Sequence, residues 1–316
     1  MNRKQIMAIR ITVYVAVAAI TAVATASVYR WWYSNRVYGP LKCDFEGDGC
    51  QVVKDLRYGT GNNDTYDIYQ PPAKISSNLF ILFHGGGFVY GDKSDDRRWA
   101  EFLATKGYVV AAVNYPQYAD SVQWSVEASY RQVEKAVDAV VAECNRRGCN
   151  VVNIAVGGRD SGGTLAMLYA YRNESDTHEM LRFVFQQSAP ADFDPEKWNM
   201  FTDLAKHEFV SHYAGLPKDD MMMAIDDYKQ LMDQISPVCY IDSTSVPTLF
   251  AYGKYDTFIN DDVRESLNNH LEKYGVKNTF VEYSNSGHKM LDDPEKQKEY
   301  VDEVIRYAET YFKKSK

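Results

Sequence analysis

The chain has 316 residues, 45% of them hydrophobic and 25% charged, an ordinary make-up for a globular protein with one large core. Its 43 acidic side chains outnumber 35 Lys and Arg, for a formal net charge of −8. With no basic cluster in the body, that balance argues against a nucleic-acid partner. There is no internal repeat and no low-complexity tract.

The first 35 residues read as a separate segment, with a single folded unit over 36–316. Ile11 to Tyr29 carries no charge, follows Arg3, Lys4 and Arg10, and leads into Arg30-Trp31-Trp32-Tyr33. As a helix it spans roughly 28 Å, enough for a bilayer core. The aromatic cluster suits the membrane interface and the basic tip suits a cytoplasmic N-terminus, with the body outside. A cleaved signal peptide is the competing reading, because Ala24-Thr25-Ala26 has the small residues a cleavage site uses. The body is exported in either case: anchored in the first, secreted in the second. Five cysteines agree with export. Cys43 and Cys50 bracket an acidic loop, Cys144 and Cys149 bracket Asn-Arg-Arg-Gly, and Cys239 stands alone. Two short-range pairs read as local disulfides, with free thiols as the alternative. Zinc does not fit this spacing, no histidine sits nearby, and neither a metal nor a cofactor is expected. Asn63-Asp64-Thr65 and Asn173-Glu174-Ser175 fit the glycosylation pattern of a eukaryotic secretory route.

In chain order, 51–72 predicts two antiparallel edge strands and 78–83 a buried strand ending in His84-Gly85-Gly86-Gly87-Phe88. A helix over 97–106 leads to a strand over 108–115. The segment 126–144 is an amphipathic helix with Val126, Tyr130, Val133, Val137, Val140 and Val141 on its apolar stripe. A strand over 151–156 and a helix from Gly162 to about Arg172 enclose a Gly-rich turn. Further strands are expected at 181–185, 248–252 and 279–283, with helices at 261–274 and 294–313. This alternation means an α/β fold, a mostly parallel doubly wound sheet with a small antiparallel edge. The stretch 192–236 breaks the rhythm. It is helical, acidic and Met-rich (Met221-Met222-Met223), as an inserted cap over a pocket would be.

The chemistry centres on Gly157-Gly158-Arg159-Asp160-Ser161-Gly162-Gly163. A strand, a sharp turn carrying one reactive residue and a helix behind it form a nucleophile elbow, usually Gly-x-Ser-x-Gly. The flanking glycines are steric necessities, since the turn crowds both positions. With Asp160 at the apex the flanking residues are Gly158 and Gly162, and both fit. With Ser161 there they are Arg159 and Gly163, and Arg159 does not. Aspartate therefore occupies the position where serine is expected. Two later strands deliver Asp256, after Gly253-Lys254-Tyr255, and His288, after Ser286-Gly287. The order nucleophile, acid, histidine supplies a base and a carboxylate to hold its tautomer. The loop Gly85-Gly86-Gly87 offers N–H groups to an oxyanion, joined by the N–H of Ser161, while His84 orders the loop.

These motifs make the body, about residues 50–312, resemble the esterase/lipase branch of the α/β-hydrolase superfamily, in its hormone-sensitive-lipase-like and carboxylesterase-like forms with an HGGG oxyanion segment. His84-Gly-Gly-Gly-Phe-Val-Tyr-Gly-Asp-Lys-Ser, Asn114-Tyr115-Pro116, Gly158-Arg-Asp-Ser-Gly-Gly-Thr-Leu-Ala, Ser236-Pro237 and Gly287-His288 carry the likeness. The resemblance implies an α/β-hydrolase fold and hydrolysis of carboxylic esters or related acyl compounds by a serine. The departure falls on that serine, and three readings follow. Ser161 serves from the next position; Asp160 is itself the nucleophile, as in the similar Gly-x-Asp-x-Gly sites of haloalkane dehalogenases and epoxide hydrolases; or the site binds without turnover, because replacing a serine nucleophile costs about 10⁴–10⁶ in rate. The expected partners are a small ester-like molecule and, through the N-terminal helix, a membrane.

Overall fold

The computed structural model describes residues 3–72, 76–118, 124–172, 174–198, 202–216 and 225–312. Asn173 and Met221–Met223, singled out above, lie outside them.

A helix, α1 (Arg3–Tyr38), comes first, and within it Arg10–Tyr29 is long and apolar enough to cross a membrane, judged by length and composition. The body is an eight-stranded sheet: β1 (Gln51–Arg57), β2 (Thr65–Gln70), β3 (Asn78–Phe83), β4 (Val109–Val113), β5 (Asn153–Arg159), β6 (Leu181–Gln187), β7 (Thr248–Gly253) and β8 (Asn278–Tyr283). The spatial order is β1-β2-β4-β3-β5-β6-β7-β8. Along that order pairing is antiparallel from β1 through β2 to β4 and parallel from β4 through β3 to β8. This is the α/β-hydrolase fold, and the antiparallel edge lies where Gln51–Pro72 places it.

The central strands are apolar runs because helices cover both sheet faces. Leu79, Phe80, Ile81 and Phe83 of β3 are buried, as are all five residues of β4. The helices are α2 (Arg97–Thr105), α3 (Val126–Arg146), α4 (Ser161–Arg172), α5 (Asp203–Ala214), α6 (Ile225–Ile235), α7 (Asp261–Lys273) and α8 (Pro294–Tyr311). Their starts follow ordinary capping chemistry. Ser125, Thr202 and Asn260 accept backbone N–H bonds from Ala128, Ala205 and Val263, and Pro294 opens α8. The stretch 192–236 contributes α5 and α6. Tyr213 of α5 packs 5.2 Å from Phe193 and 6.1 Å from Phe88, which draws that helix toward the loop after β3.

Two local expectations shift. Strand β5 runs on to Arg159 instead of ending at Val156, because Gly158 and Arg159 still pair with Gln186 and Gln187 of β6. Helix α4 then starts at Ser161, with Asp160 as the single hinge between them. The cysteines differ as well, since all five are free thiols. Cys144, in the last turn of α3, shares a side-chain hydrogen bond with Cys149, and burial, joined by the charges of Asp48 and Cys43, raises the Cys50 thiol. The expected pairs are neighbours but not bonded.

Candidate active site

The parallel strands end on one edge of the sheet, and three consecutive turns there bring the expected residues together. Asp160 follows β5 with φ of 52°, the left-handed conformation of a sharp strand-to-helix turn. Its backbone is tied on both sides: its N–H donates to Gln187 O (2.8 Å) and its carbonyl accepts from Thr164 N (3.1 Å). A Cβ on Gly158 would lie 2.5 Å from Phe83 O, and one on Gly162 would lie 1.9 Å from the same oxygen. Both are far inside contact distance, so the two glycines that set the register are the two the turn requires.

Asp256 follows β7 and is held by Phe258 N and Ile259 N, each donating to Oδ1 at 2.9 Å. His288 follows β8. Its Nδ1 lies 2.9 Å from Asp256 Oδ2, which makes Nδ1 the protonated nitrogen and turns Nε2 toward Asp160. Nε2 stands 3.8 Å from Asp160 Oδ1. The side chains of His288 and Asp160 remain about one-fifth exposed, while Asp256 is sealed at 1%. Burial works against charge on His288, but the hydrogen bond and charge of Asp256, joined by the charge of Asp160, outweigh it. The imidazole is held above its ordinary range.

The loop after β3 faces the same point. Gly86 N (2.9 Å) and Gly87 N (2.7 Å) both donate to Oδ2 of Asp160. The pair of N–H groups that would meet a developing oxyanion is therefore bound to the carboxylate of the chain itself. His84 does not face this point. It is buried, its Nδ1 donates to Gly85 O at 2.8 Å, and burial lowers its pKa, so it is a neutral ring ordering its own loop. Gly85 is kept small by contact, since a Cβ there would sit 2.9 Å from Arg159 O.

Ser161 is turned away. It is fully buried as the first residue of α4, and its hydroxyl lies 3.0 Å from the Tyr115 hydroxyl. Tyr115 spends its own proton on His84 O (2.7 Å), so Ser161 must be the donor of that pair. Tyr115 also stacks on His84, with ring centroids 4.4 Å apart. Tyr115 thus ties the elbow helix to the Gly-rich loop. Sequence reasoning placed it only as part of Asn114-Tyr115-Pro116, since nothing local reveals a hydroxyl that meets residues 31 and 46 positions away.

The His288 geometry has a measurable sign. A histidine whose folded pKa exceeds its unfolded one adds stability that is present at acidic pH and is lost as pH rises through the folded value. Titrated by NMR, His288 is expected to lose its proton at a lower pH in Asp160→Asn than in the parent. An unchanged midpoint would mean that Asp160 and His288 do not sense one another.

Among described residues no group of His, Cys, Asp and Glu is placed to hold a metal ion. No curated protein matches the chain. Solved structures of similar fold include a truncated carbohydrate esterase from gut microbiota (17% identity, TM-score 0.65, covering 83% of this chain and 98% of that one). Esterase B of Lactobacillus rhamnosis is 17% identical with a TM-score of 0.65, covering 93% and 94%. Thermogutta terrifontis esterase 2, phosphonylated by sarin, is also 17% identical with a TM-score of 0.66, covering 85% and 97%. At such identities the likeness speaks for the fold. The family is shown by a family model instead: that of BD-FAE matches residues 66–271, about two thirds of the chain. The chain belongs to the BD-FAE family of α/β-hydrolase esterases.

Proposed function

We propose that this protein binds small ester-like or acyl compounds at the site of Asp160, Asp256 and His288, without hydrolysing carboxylic esters through a serine. The observation that carries this reading is the bond of Asp160 Oδ2 to both Gly86 N and Gly87 N. An acyl-enzyme route needs those donors empty when the substrate carbonyl arrives, because their contribution, typically about 3 kcal/mol, is realised on the oxyanion. Here they are already taken by Asp160 Oδ2. The same carboxylate also favours a protonated His288, which cannot act as base. Ser161 does not replace the missing nucleophile, since its hydroxyl is buried against Tyr115. The family and the solved esterases of similar fold support an ester-like ligand. In this reading residues 192–236 form the cap that selects it, over a unit spanning 36–316. The N-terminal helix anchors the protein, with that unit outside the cytoplasm; secretion after cleavage is the alternative.

The test is turnover of short-chain p-nitrophenyl esters by the parent beside Ser161→Ala. Both are expected to match the uncatalysed rate. Turnover by the parent that Ser161→Ala abolishes would overturn the proposal.

A second reading has its own observation. With Oδ2 fixed in the loop, Oδ1 is the free carboxylate oxygen and faces His288 Nε2 at 3.8 Å. That leaves Asp160 oriented to displace a leaving group from an sp³ carbon through Oδ1. Water activated by neutral His288 would then attack Cγ of the resulting alkyl ester, with the new oxyanion on Oδ2. Multiple turnovers in ¹⁸O-labelled water would place the label in the Asp160 carboxylate, read by peptide mass. A carboxylate that stays unlabelled, with no halide or diol released from haloalkane and epoxide panels, would eliminate this reading.

A further inference from the structure

Beside the elbow, between α2 and α8, lies a cavity in which two buried polar groups have no partner. Oδ2 of Asp96 and the hydroxyl of Tyr300 are both without a hydrogen bond, and the two residues are 7% and 1% exposed. Asp96 stands where it would cap α2, yet its side chain accepts no backbone N–H there. A buried polar group left unmet costs about 1–3 kcal/mol, so two on one cavity call for a ligand between them. The cavity has a volume of about 30 Å³. At roughly 10–15 Å³ per water, that is space for about two waters or for a molecule the size of formate or acetate. Half-buried Arg159 and exposed Lys289 also line it, with Trp99 as an aromatic wall and Asp95 the one further acid.

The chemistry of these groups selects the ligand. Tyr300 has a hydroxyl proton to give, and Arg159 and Lys289 have only donors. An ammonium ligand would face the like charges of Arg159 and Lys289 and leave the Tyr300 proton unmet. An anion finds donors in Tyr300, Arg159 and Lys289, and a further one in Asp96 provided it brings a proton, with Asp95 the one acid against it. Burial, with Asp95 adding to it and Arg159 opposing it, pushes Asp96 up to about 7, so near neutrality it carries an O–H for part of the time. A carboxylate has two oxygens in one plane, one for Asp96 and Tyr300 inside and one for the cations outside.

We infer that this cavity is a binding site for a small carboxylate anion, held by Asp96 and Tyr300 within and by Arg159 and Lys289 at its mouth. The site is separate from the one proposed above but touches it through the chain, since Arg159 precedes Asp160 and Lys289 follows His288. Uptake of the anion carries a proton onto Asp96.

The experiment is a titration of the full-length protein with sodium acetate at pH 6, 7 and 8, read by calorimetry and by Trp99 fluorescence, with methylammonium chloride as the cationic control. Acetate is expected to saturate at pH 6 and to bind about ten-fold more weakly for each pH unit above 7, because each unit removes that share of protonated Asp96. In Asp96→Asn, whose amide donates at every pH, acetate is expected to bind with no such slope. In Tyr300→Phe it is expected to bind about 5-fold more weakly with the slope kept. Both variants are near-isosteric, and circular dichroism confirms that each is folded. Three results would each overturn the site: no saturation by acetate at pH 6, a slope that survives Asp96→Asn, or saturation by methylammonium in preference to acetate.

Discussion

Asp160→Ser is expected to raise hydrolysis of p-nitrophenyl acetate by ~10⁴-fold or more over the parent, the smaller end of what a nucleophile is worth in a serine triad. Three changes act together. The shorter side chain withdraws from Gly86 N and Gly87 N, now 2.9 and 2.7 Å from a carboxylate oxygen, and reopens the pair to a substrate carbonyl. The new hydroxyl stands at the elbow apex, on the side where His288 Nε2 lies 3.8 Å from the present carboxylate. The imidazole loses one of the two anions that hold its pKa up, and it becomes available as a base near neutral pH. Asp256 needs no change, because its two backbone bonds and its 2.9 Å contact with His288 already fix the tautomer. Asp160→Asn is the matched control: it removes the charge, keeps the bulk and supplies no nucleophile, so it is expected to stay silent. Adding His288→Ala to Asp160→Ser is expected to cancel the gain. If Asp160→Ser is no more active than Asp160→Asn, the scaffold has lost more than its nucleophile.

How much of this was readable in the chain depends on the range of the forces involved. The parallel strands β3, β4 and β5 are legible because a strand buried on both faces must be an apolar run, and Leu79–Phe83 and Val109–Val113 are such runs. The positions of Asp256 and His288 follow from the same signal, since each sits just past a strand, and all such ends lie on one edge of a parallel sheet. The elbow register follows from glycine spacing alone. What stays hidden is set by contacts between distant segments. No local pattern states that the Asp160 carboxylate reaches Gly86 N and Gly87 N, 74 and 73 residues earlier. The same holds for Ser161, which reads as a possible substitute nucleophile until Tyr115 is seen to take its hydroxyl. The end of β5 is missed by three residues for a related reason. Gly157 and Gly158 look like a turn in sequence but pair with Phe185 and Gln186 as strand, where Gly157 makes room for the Phe185 ring.

The second large effect tests that register through stability. Gly162→Ala is expected to cost roughly 3 kcal/mol or more, read as a lower urea midpoint at unchanged slope. The added Cβ would lie 1.9 Å from Phe83 O and 2.4 Å from His84 O, both backbone atoms at the end of β3. Neither oxygen can give way cheaply, because Phe83 is paired within the sheet and the His84 carbonyl accepts the Tyr115 hydroxyl. A rotamer change offers no relief, since Cβ has none. Gly87→Ala provides the contrast. Nothing lies within 4 Å of its Cβ, but φ is +60°, so only the left-handed backbone penalty of about 1 kcal/mol applies. Two glycines of one site are thus expected to separate by a factor of about three in cost, one for contact and one for conformation. If Gly162→Ala unfolds at the parent's midpoint, α4 does not press on the end of β3 as described. The steric reason for placing Asp160 at the apex would then fall with it.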